Sequence, residues 1–476
     1  MKKEYYRFRS IDNLMGNYKE LESQTIYFAP PEQLNDPMEG SRDVFWEGDV
    51  IAWKKLFIHY LFCLDDFVVT LFSQDEPEDF SRACIPVAGR ISESLTGSRR
   101  NIFSKACDAF LGDDDIYSFI TSISKRSTPV RKDELKFYLG CIHFSALKII
   151  LDSYIDEGAM PEANRIHGDF SSMVSDLNSK NFFQVIEDLI RLGGVQESKT
   201  YELFHHKSLW REQTILQARY LNDKISNPEL KDVLLNDYPM IYVECLCDLL
   251  YPKWYTSCFM TEYKNSSVWG HYGDHHRGVC LIFESDLDGN DSFLELNGVV
   301  GWSGSGPLLG KKRMKFNRIN YESKLVPVDF FRSLGNLPIP TLYEMWYMDD
   351  DGGVSECAEG MSGSEEQWRE AYWESFIEGV SVKSNDWAYE NEYRLILSSS
   401  ILNLSDKESR TLTYDFSSLK GIIFGIKTSR EDKLEVLRVI REKCQAEGRR
   451  DFTFYQAYYS PDHGCIQKAE LRTLYF

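Results

Sequence analysis

Apolar and polar residues alternate at the beginning of the chain in the pattern of a short β-strand. Residues 5–9 read Tyr-Tyr-Arg-Phe-Arg, so every second side chain points to the same face. Ser10 is suited to begin a helix, which the pattern extends through Leu21. Residues 25–29 form a second strand-like run, and Pro30 and the proline after it end that run. The opening segment therefore predicts a strand, a helix and a second strand.

The middle of the chain changes from strand spacing to helix spacing. Apolar residues recur every three or four positions from about residue 50, and the same spacing returns at 100–120, 134–155, 170–193 and 228–250. This recurrence places apolar side chains on one face of an amphipathic helix. The region therefore predicts a helical insertion of roughly 200 residues.

Strand-like runs return after the helical region. Residues 256–260 and 278–283 are rich in residues that favour strands. Further elements are predicted as strands at 392–397, 419–425, 452–457 and 470–476, and as helices at 367–380 and 429–445. The chain therefore predicts an α+β fold whose mixed or antiparallel β core is split by a large helical insertion.

This pattern also predicts the domain organisation. Residues 1–45 are the first part of the α+β core, and residues 46–250 are the helical insertion. Residues 251–476 are the remainder of the core, with a variable insertion at about 290–380. We expect the helical insertion to carry any contact with a protein partner or trigger.

Composition narrows the classes of partner. Of the 476 residues, 43% are hydrophobic and 14% are aromatic, which is too much bulky apolar material for a disordered chain. The formal net charge of −20 repels duplex nucleic acid, so nucleic acid is expected only as a local target. No run approaches the length of a membrane-spanning helix, and no membrane contact is expected.

Cysteine usage and the first residues point to the cytoplasm. The 11 cysteines are scattered without a repeated spacing, which is typical of reduced thiols. No pair of CxxC motifs occurs, so a structural zinc site is not predicted. The first residues carry charge without an apolar run behind them, so they do not form a secretory signal. We predict a cytoplasmic protein.

Charged residues near both ends of the chain are the candidates for chemistry. Arg7 and Arg9 share one strand face and are suited to hold a pyrophosphate. Glu390 and Glu392 lie two apart, so on a strand they share a face, and two like charges so placed raise one pKa. Arg394 continues that face and can pair with either. The alternative for both groups is ordinary ion pairing.

Two polar segments offer further candidates. Asn35 and Asp36, with the proline that follows them, either orient a ligand or lock the loop after the second strand. Trp269, His271 and Tyr272 either stack on a base or nicotinamide ring or, for the tryptophan, belong to the core. His271 also lies four positions before another histidine. That spacing suits a metal on a helix, but no metal site is predicted because a glycine interrupts the pair.

Several unusual segments occur together in one order. They are residues 6–10 (Tyr-Arg-Phe-Arg-Ser), 26–30, 34–39 (Leu-Asn-Asp-Pro-Met-Glu), 258–259, 269–272 (Trp-Gly-His-Tyr), 278–281, 387–395 and 423–429. This order resembles a bacterial family known only as domain of unknown function 2971. The resemblance covers about 200 of the 476 residues and leaves out the long insertions. It implies no established activity.

The arrangement also looks like that of the ADP-ribosyltransferase superfamily, including its DNA-modifying toxin branch. That resemblance implies that NAD is the substrate, with Arg7 or Arg9 as the early polar residue and Glu392 or Glu390 as the late catalytic glutamate. The middle residue would be Tyr27 or a member of the 269–272 segment. A histidine typical of the first strand is replaced here by Tyr-Arg.

Three hypotheses follow for the function. The first is an NAD-using effector similar to ADP-ribosyltransferases, with NAD bound between the opening strands and the Glu390–Arg394 segment, acting in bacterial defence or conflict. The second is a non-enzymatic sensor or partner-binding protein in phage defence. The third is a metal-dependent nuclease that uses His271, His275 and nearby acids. No P-loop, Rossmann fingerprint or GxSxG elbow supports other common enzyme classes.

Overall fold

A computed structural model describes most of the chain. The described residues are 2–36, 38–73, 85–168, 170, 172–191, 197–221, 232–304, 306–321, 325–361, 363–400 and 402–472. The strands are β1 (Lys3–Arg9), β2 (Thr25–Tyr27), β3 (Asp43–Trp46), β4 (Val130–Arg131), β5 (Trp254–Met260), β6 (Val279–Asp288), β7 (Asp291–Ser303), β8 (Gly306–Lys315), β9 (Asn317–Arg318), β10 (Asn320–Tyr321), β11 (Pro327–Asp329), β12 (Val382–Lys383), β13 (Glu392–Ser398), β14 (Thr411–Tyr414), β15 (Leu419–Phe424), β16 (Thr453–Ser460) and β17 (Cys465–Glu470).

Helices fill much of the remaining chain. The α-helices are α1 (Ile11–Met15), α2 (Val50–Ser73), α3 (Ile91–Ser94), α4 (Gly97–Leu111), α5 (Asp114–Ser124), α6 (Lys132–Asp156), α7 (Ser172–Ser179), α8 (Phe182–Arg191), α9 (Glu197–Leu221), α10 (Tyr238–Leu250), α11 (Ser266–His271), α12 (Ile339–Leu342), α13 (Glu365–Val380) and α14 (Arg430–Glu447). In the described part of the chain, no helix is both long and apolar enough to span a bilayer.

The chain divides into two units by its internal contacts. Unit 1 contains Met1–Ser41, Pro252–Val326 and Glu374–Phe476. Unit 2 contains Arg42–Tyr251 and Pro327–Trp373. The segment Pro327–Trp373 thus belongs to the unit built mainly from the helical region, whereas the sequence pattern placed it in an insertion of the core.

Unit 1 is built on a mixed, mainly antiparallel sheet. Its central path runs in the order β17-β16-β15-β6-β1-β5-β13-β9. Strand β1 is antiparallel to both neighbours and pairs along its whole length with β6, while β15 and β16 are parallel. The two ends of the chain therefore meet in one sheet, and the predicted α+β class with a mixed β core is confirmed.

The alternation of β1 separates two apolar layers. Tyr5 packs into one cluster with residues such as Phe259 and Phe283, and Tyr6 and Phe8 pack into the other. Since alternate residues of a strand point to opposite faces, Arg7 and Arg9 follow Tyr5. Both arginine side chains therefore lie on the same face of the sheet as Tyr5, at the carboxyl end of β1.

Unit 2 is mainly helical. Helices α2, α4, α5, α6 and α10 pack around a core in which Trp53, Phe57, Tyr138 and Leu147 are fully or almost fully buried. Three short strands join this unit in the order β11-β3-β4. The recurrence of apolar residues every three or four positions thus predicted the helical character of this region correctly.

Two predicted elements have different bounds in the structure. Helix α1 ends at Met15 rather than extending through Leu21, because the chain turns at Gly16 and the backbone N–H of Leu21 donates to the carbonyl of Leu14 at 3.1 Å. The last strand covers Cys465–Glu470 rather than 470–476. It pairs antiparallel with β16, and residues 473–476 lie outside the described part of the chain.

Gly278 allows the close approach of β1 and the start of β6. A Cβ atom at this position would lie 2.2 Å from the carbonyl oxygen of Arg9. We expect Gly278→Ala to lower the free energy of unfolding by about 1–3 kcal/mol, because the backbone must shift to relieve the contact. Urea unfolding measures this. Gly270→Ala is the matched control, since a Cβ there meets nothing within 4 Å. Equal effects of the two substitutions would contradict this explanation.

Candidate functional site

Arg7 and Arg9 converge on one carboxylate. Glu20, in the turn that follows α1, accepts from Nη1 of Arg7 at 3.3 Å and from Nε of Arg9 at 2.7 Å. Arg7 is 4% exposed and Glu20 is equally buried. Burial, and then the charge of Arg9, lower the pKa of Arg7 to about 10. One carboxylate thus faces two guanidinium groups, which leaves positive charge at this end of β1.

A small cavity opens beside these arginines. It has a volume of about 140 Å³, and Arg7, Arg9, Tyr27, Ser257 and Tyr272 are among the residues that line it. These residues come from β1, β2, β5 and the end of α11, so four separate segments of unit 1 meet here. We call this cavity the β1–β2 cleft.

A larger cavity adjoins the β1–β2 cleft. It has a volume of about 830 Å³ and shares Arg9, Tyr27 and Ala29 with the small cavity. Tyr18 and Lys407 contribute to its lining, and the ammonium of Lys407 lies 3.4 Å from the centroid of the Tyr18 ring. Cavities that hold small ligands measure roughly 300–1,000 Å³. The two cavities together therefore suit a ligand larger than the β1–β2 cleft alone.

A buried cluster of charges lies next to the cleft. We define the carboxylate cluster as Glu39, Lys383, Glu390, Glu392 and Arg394, whose side chains are all at most 2% exposed. Nζ of Lys383 lies 3.2 Å from Glu39, 2.7 Å from Glu390 and 3.1 Å from Glu392. Arg394 donates from Nε to Glu392 at 2.7 Å and also pairs with Glu39. Three carboxylates thus share two cations.

The cluster shifts the pKa values of its carboxyl groups in opposite directions. Burial raises the pKa of Glu39 and of Glu390, although Lys383 opposes the shift in both. At Glu392 burial is outweighed by Arg394 and Lys383, which lower the pKa. The fully ionised cluster carries an excess of one negative charge, because three carboxylates face two cations, and burial makes that excess charge costly.

Tyr272 connects the carboxylate cluster to the cleft. Its ring lines the cleft, and its hydroxyl donates to Oε1 of Glu390 at 2.9 Å. The same hydroxyl accepts from Nδ2 of Asn35 at 3.1 Å. Burial raises the pKa of Tyr272, so the phenol stays protonated at neutral pH. Glu390 therefore reaches the cleft through one side chain.

Glu390 and Glu392 come together by a route that the sequence pattern did not predict. Glu390 ends a 3₁₀-helix (Asn385–Glu390), and Asn391 follows with φ of +46° before β13 begins at Glu392. The two acids therefore do not share a strand face. The left-handed turn at Asn391 directs both carboxylates to Lys383.

The loop after β2 is held by Asp36. Its carboxylate accepts from the backbone N–H of Met38 at 2.9 Å and from that of Ser384 at 3.0 Å. Asp36 is 3% exposed, so both oxygens serve the backbone. Asp36 thus fixes the conformation of the loop, which was one of the two predicted alternatives. Asn35 lies beside Tyr272 at the cleft.

The other aromatic candidates lie apart from the cleft lining. Trp269 is fully buried, donates from Nε1 to the carbonyl of Tyr263 at 2.7 Å, and packs on Phe8. Nδ1 of His271 lies 3.0 Å from the hydroxyl of Tyr389. Trp269 therefore belongs to the core, and His271 lies on the exposed surface.

No metal centre accompanies these histidines in the described part of the chain. Within that part, no group of three or more His, Cys, Asp or Glu side chains is placed to hold a metal ion. His275 follows Asp274 in a run of left-handed residues, with φ of +50°, rather than continuing α11. The two histidines thus do not share a helix face, and the nuclease hypothesis gains no support.

Two residues at the site escaped the sequence interpretation. Among the described residues, the hydroxyl of Ser257 is buried without a hydrogen-bond partner at the wall of the cleft. Lys383 is the second, and it completes the carboxylate cluster with Glu39, the last residue of the 34–39 segment. Local spacing carries no signal for Ser257 or Lys383, because each is defined by contacts with distant segments.

Comparison with known proteins identifies one family. Residues 268–395 match the model of a family described as Protein of unknown function (DUF2971), which supports the predicted family for this segment. The match runs through 290–380, which the predicted resemblance left out, and does not extend to the predicted segments before 268 or after 395. The match includes Tyr272, Glu390, Glu392 and Arg394. Neither the curated proteins nor the solved structures contain a match to the chain.

Proposed function

We propose that this chain, which carries a DUF2971 segment at residues 268–395, uses NAD in the manner of an ADP-ribosyltransferase. One observation carries the proposal. Arg7, Arg9, Tyr27 and Tyr272 line a single cleft, and the hydroxyl of Tyr272 is hydrogen-bonded to Glu390. Cationic, aromatic and acidic groups from both ends of the chain therefore converge at one point.

The charges and dimensions of the site suit a dinucleotide. The side chain of Arg9 is 21% exposed and Arg9 lines both cavities, so it can contact a pyrophosphate. The β1–β2 cleft of about 140 Å³ has room for one ring or sugar, and the adjoining cavity of about 830 Å³ can hold the rest. The hydroxyl of Ser257, which has no hydrogen-bond partner among the described residues, offers a hydrogen bond to a ligand in the cleft.

The proposed reaction breaks the bond between C1′ of the nicotinamide ribose and the nitrogen of nicotinamide. The bonding electron pair leaves with the nicotinamide nitrogen, and the sugar passes through an oxocarbenium-like state. An oxygen nucleophile from the target, or from water, then bonds to C1′ and loses its proton to the surrounding solvent or base. Negative charge near C1′ stabilises the cationic sugar.

We assign the two candidate glutamates different roles in the proposed reaction. Glu390 is hydrogen-bonded to Tyr272, which lines the cleft, whereas Glu20 is paired with both arginines, so we assign Glu390 the stabilisation of the sugar. Glu392 is held by Arg394 and Lys383 and positions these cations. We expect Glu390 to act on the substrate and Glu392 to act through its partners.

The function is tested by measuring NAD consumption and binding. Purified protein is incubated with NAD labelled in the adenylate part, together with cell extract or nucleic acid, and label transfer and free nicotinamide are followed. Transfer or nicotinamide release is the expected result. Absence of both with every acceptor would overturn the proposal.

Arg9 supplies a prediction for NAD affinity. We expect Arg9→Met to weaken NAD binding about tenfold or more, because one charge-assisted contact to phosphate is lost. Isothermal titration with NAD measures the dissociation constant. Arg430→Met is a matched control, since Arg430 is exposed at the start of α14. If both variants bind NAD as tightly as the unchanged protein, Arg9 is not a phosphate contact.

A second candidate function is non-enzymatic binding of a ligand or partner. The observation that favours it is the full ion pairing of Glu392, whose carboxylate is occupied by Arg394 and Lys383. In that case the cleft would bind NAD or a related nucleotide without consuming it. Binding without nicotinamide release, under all triggers, is the result that selects this candidate.

The proposed setting is bacterial defence or conflict, in the cytoplasm. Its support is the likeness to effectors of the ADP-ribosyltransferase superfamily in residue order. Expression in a bacterial host, with and without phage challenge, tests it. Growth arrest or protection that depends on Glu390 is the expected outcome.

A further inference from the structure

A second cavity lies in unit 2, between α6, α9 and α10. It has a volume of about 200 Å³, and its floor is formed by Phe137, Phe204 and Met240. Lys207 and Trp210 lie at its edge on α9. We call it the α6–α9 groove. It involves no residue of the β1–β2 cleft, and the inference below does not rest on the NAD proposal.

One stripe of α9 exposes apolar side chains beside the groove. Leu203 and Trp210 are seven positions apart and therefore lie on the same helix face, with Lys207 between them. Leu203 is 61% exposed and Trp210 is 68% exposed. Large apolar side chains grouped in this way are typical of a surface that contacts a partner.

The charge around the groove is positive, although the whole chain is strongly acidic. Lys136, Lys207 and Arg211 line the groove, against one carboxylate, Asp133. Asp133 and Glu244 both pair with Lys136, and so the charge of Lys136 is neutralised within the unit. The groove thus retains the charges of Lys207 and Arg211.

Lys207 lies against the apolar lining of the groove, and Arg211 follows one turn later on α9. The ammonium of Lys207 is 4.3 Å from the centroid of the Phe137 ring, and in the described part of the chain no carboxylate pairs with it. Arg211 donates to the carbonyl of Asn236 at 2.7 Å and makes no ion pair with a described residue. An anionic group at the mouth of the groove would therefore find two cations that pair with no carboxylate of the described residues.

The volume of the groove indicates what fits inside it. Pockets for free small molecules measure roughly 300–1,000 Å³, and this groove is smaller at about 200 Å³. It is suited to one bulky side chain that is delivered by a longer segment. The exposed Leu203 and Trp210 would then cover the flanks of that segment.

We propose that the α6–α9 groove binds a short acidic peptide segment of a partner protein, which inserts one large apolar side chain against Phe137, Phe204 and Met240. The flanking acidic residues would pair with Lys207 and Arg211. The net charge of −20 repels long acidic chains, so recognition depends on a few charges close to the inserted side chain.

The test uses a defined probe and the full chain. A fluorescein-labelled peptide Asp-Glu-Phe-Glu-Asp is titrated with protein and followed by fluorescence anisotropy. Control peptides replace the phenylalanine by alanine, or all four acids by lysine. We expect both replacements to weaken binding about tenfold or more, since one removes the anchor and the other reverses the charge.

Two protein variants test whether the labelled peptide binds in the α6–α9 groove. Lys207→Glu and Trp210→Ala should each weaken the probe about tenfold, while Lys125→Glu, at another exposed lysine of unit 2, should leave it unchanged. Circular dichroism confirms that each variant is folded. Equal binding of the acidic and basic peptides, or insensitivity to both variants, would overturn the proposal. Dissociation of a dimer by Trp210→Ala in analytical ultracentrifugation would instead assign the groove to a second copy.

Discussion

Replacing Lys383 by methionine is expected to lower the free energy of unfolding by about 3–5 kcal/mol at neutral pH. Lys383 lies within 3.2 Å of Glu39, Glu390 and Glu392 and is itself almost fully buried. Methionine preserves the length of the side chain but removes its charge. Three buried carboxylates would then share Arg394 alone, and the cost of keeping them charged away from water would no longer be offset.

The loss of stability in this variant should depend on pH. Burial already raises the pKa of Glu39 and Glu390 above the ordinary value, and removing Lys383 removes a charge that opposes that shift. A carboxyl group whose pKa is higher in the folded state binds its proton more tightly there, so protonation favours folding. We therefore expect Lys383→Met to be most destabilising near pH 8 and less so near pH 5.

Urea unfolding at both pH values measures this dependence. Lys427→Met is a suitable control, because Lys427 is exposed in the same unit. The control should change the free energy of unfolding by less than about 0.5 kcal/mol at either pH. A loss for Lys383→Met that is small, or that grows as the pH falls, would show that Lys383 does not neutralise the cluster.

Replacing Glu390 by glutamine is expected to reduce NAD turnover about 100-fold or more while changing the NAD dissociation constant less than about threefold. Glutamine keeps the size of the side chain and an acceptor for the hydroxyl of Tyr272, which lies 2.9 Å from Oε1. It removes the negative charge that would stabilise the cationic sugar in the transition state. A charge that acts mainly in the transition state affects the rate more than the binding.

The measurement compares single-turnover nicotinamide release with NAD titration for the same preparations. Glu435→Gln serves as the control, since Glu435 is exposed on α14 of the same unit. Thermal unfolding shows whether a loss of turnover follows from a loss of structure. Unchanged turnover in Glu390→Gln, in a protein that does consume NAD, would remove Glu390 from the chemistry and leave the NAD proposal itself intact.

Lys383 and Glu390 are the two partners of one ion pair in the carboxylate cluster. Lys383 neutralises the carboxylates, so it stabilises the fold. The same ion pair lowers the negative charge that Glu390 can present to a substrate. The Lys383–Glu390 contact thus stabilises the fold and at the same time reduces the charge available for the proposed reaction. A variant that weakens this contact should change both the free energy of unfolding and the rate of NAD turnover.

Several features of this protein were determined by the sequence alone. The alternation in residues 5–9 is sufficient to predict β1 and to place Arg7 and Arg9 on one face, because a strand has a period of two. Helical spacing predicted the mainly helical unit, and the segments at 269–272, 278–281 and 387–395 indicated the DUF2971 family in the part of the chain that matches it. Each of these signals is local, so it can be read along the chain without knowledge of the fold.

The site itself was decided by the tertiary structure. Arg394 pairs with Glu39 across 355 positions of sequence, and Lys383 joins both to Glu390. The burial of the Ser257 hydroxyl likewise depends on which strands lie side by side, and the pairing of Arg7 with Glu20 depends on the turn that follows α1. Ion pairing and burial act through space and have no sequence period. For that reason the pattern of the chain could nominate charged residues but could not predict which of them neutralise one another.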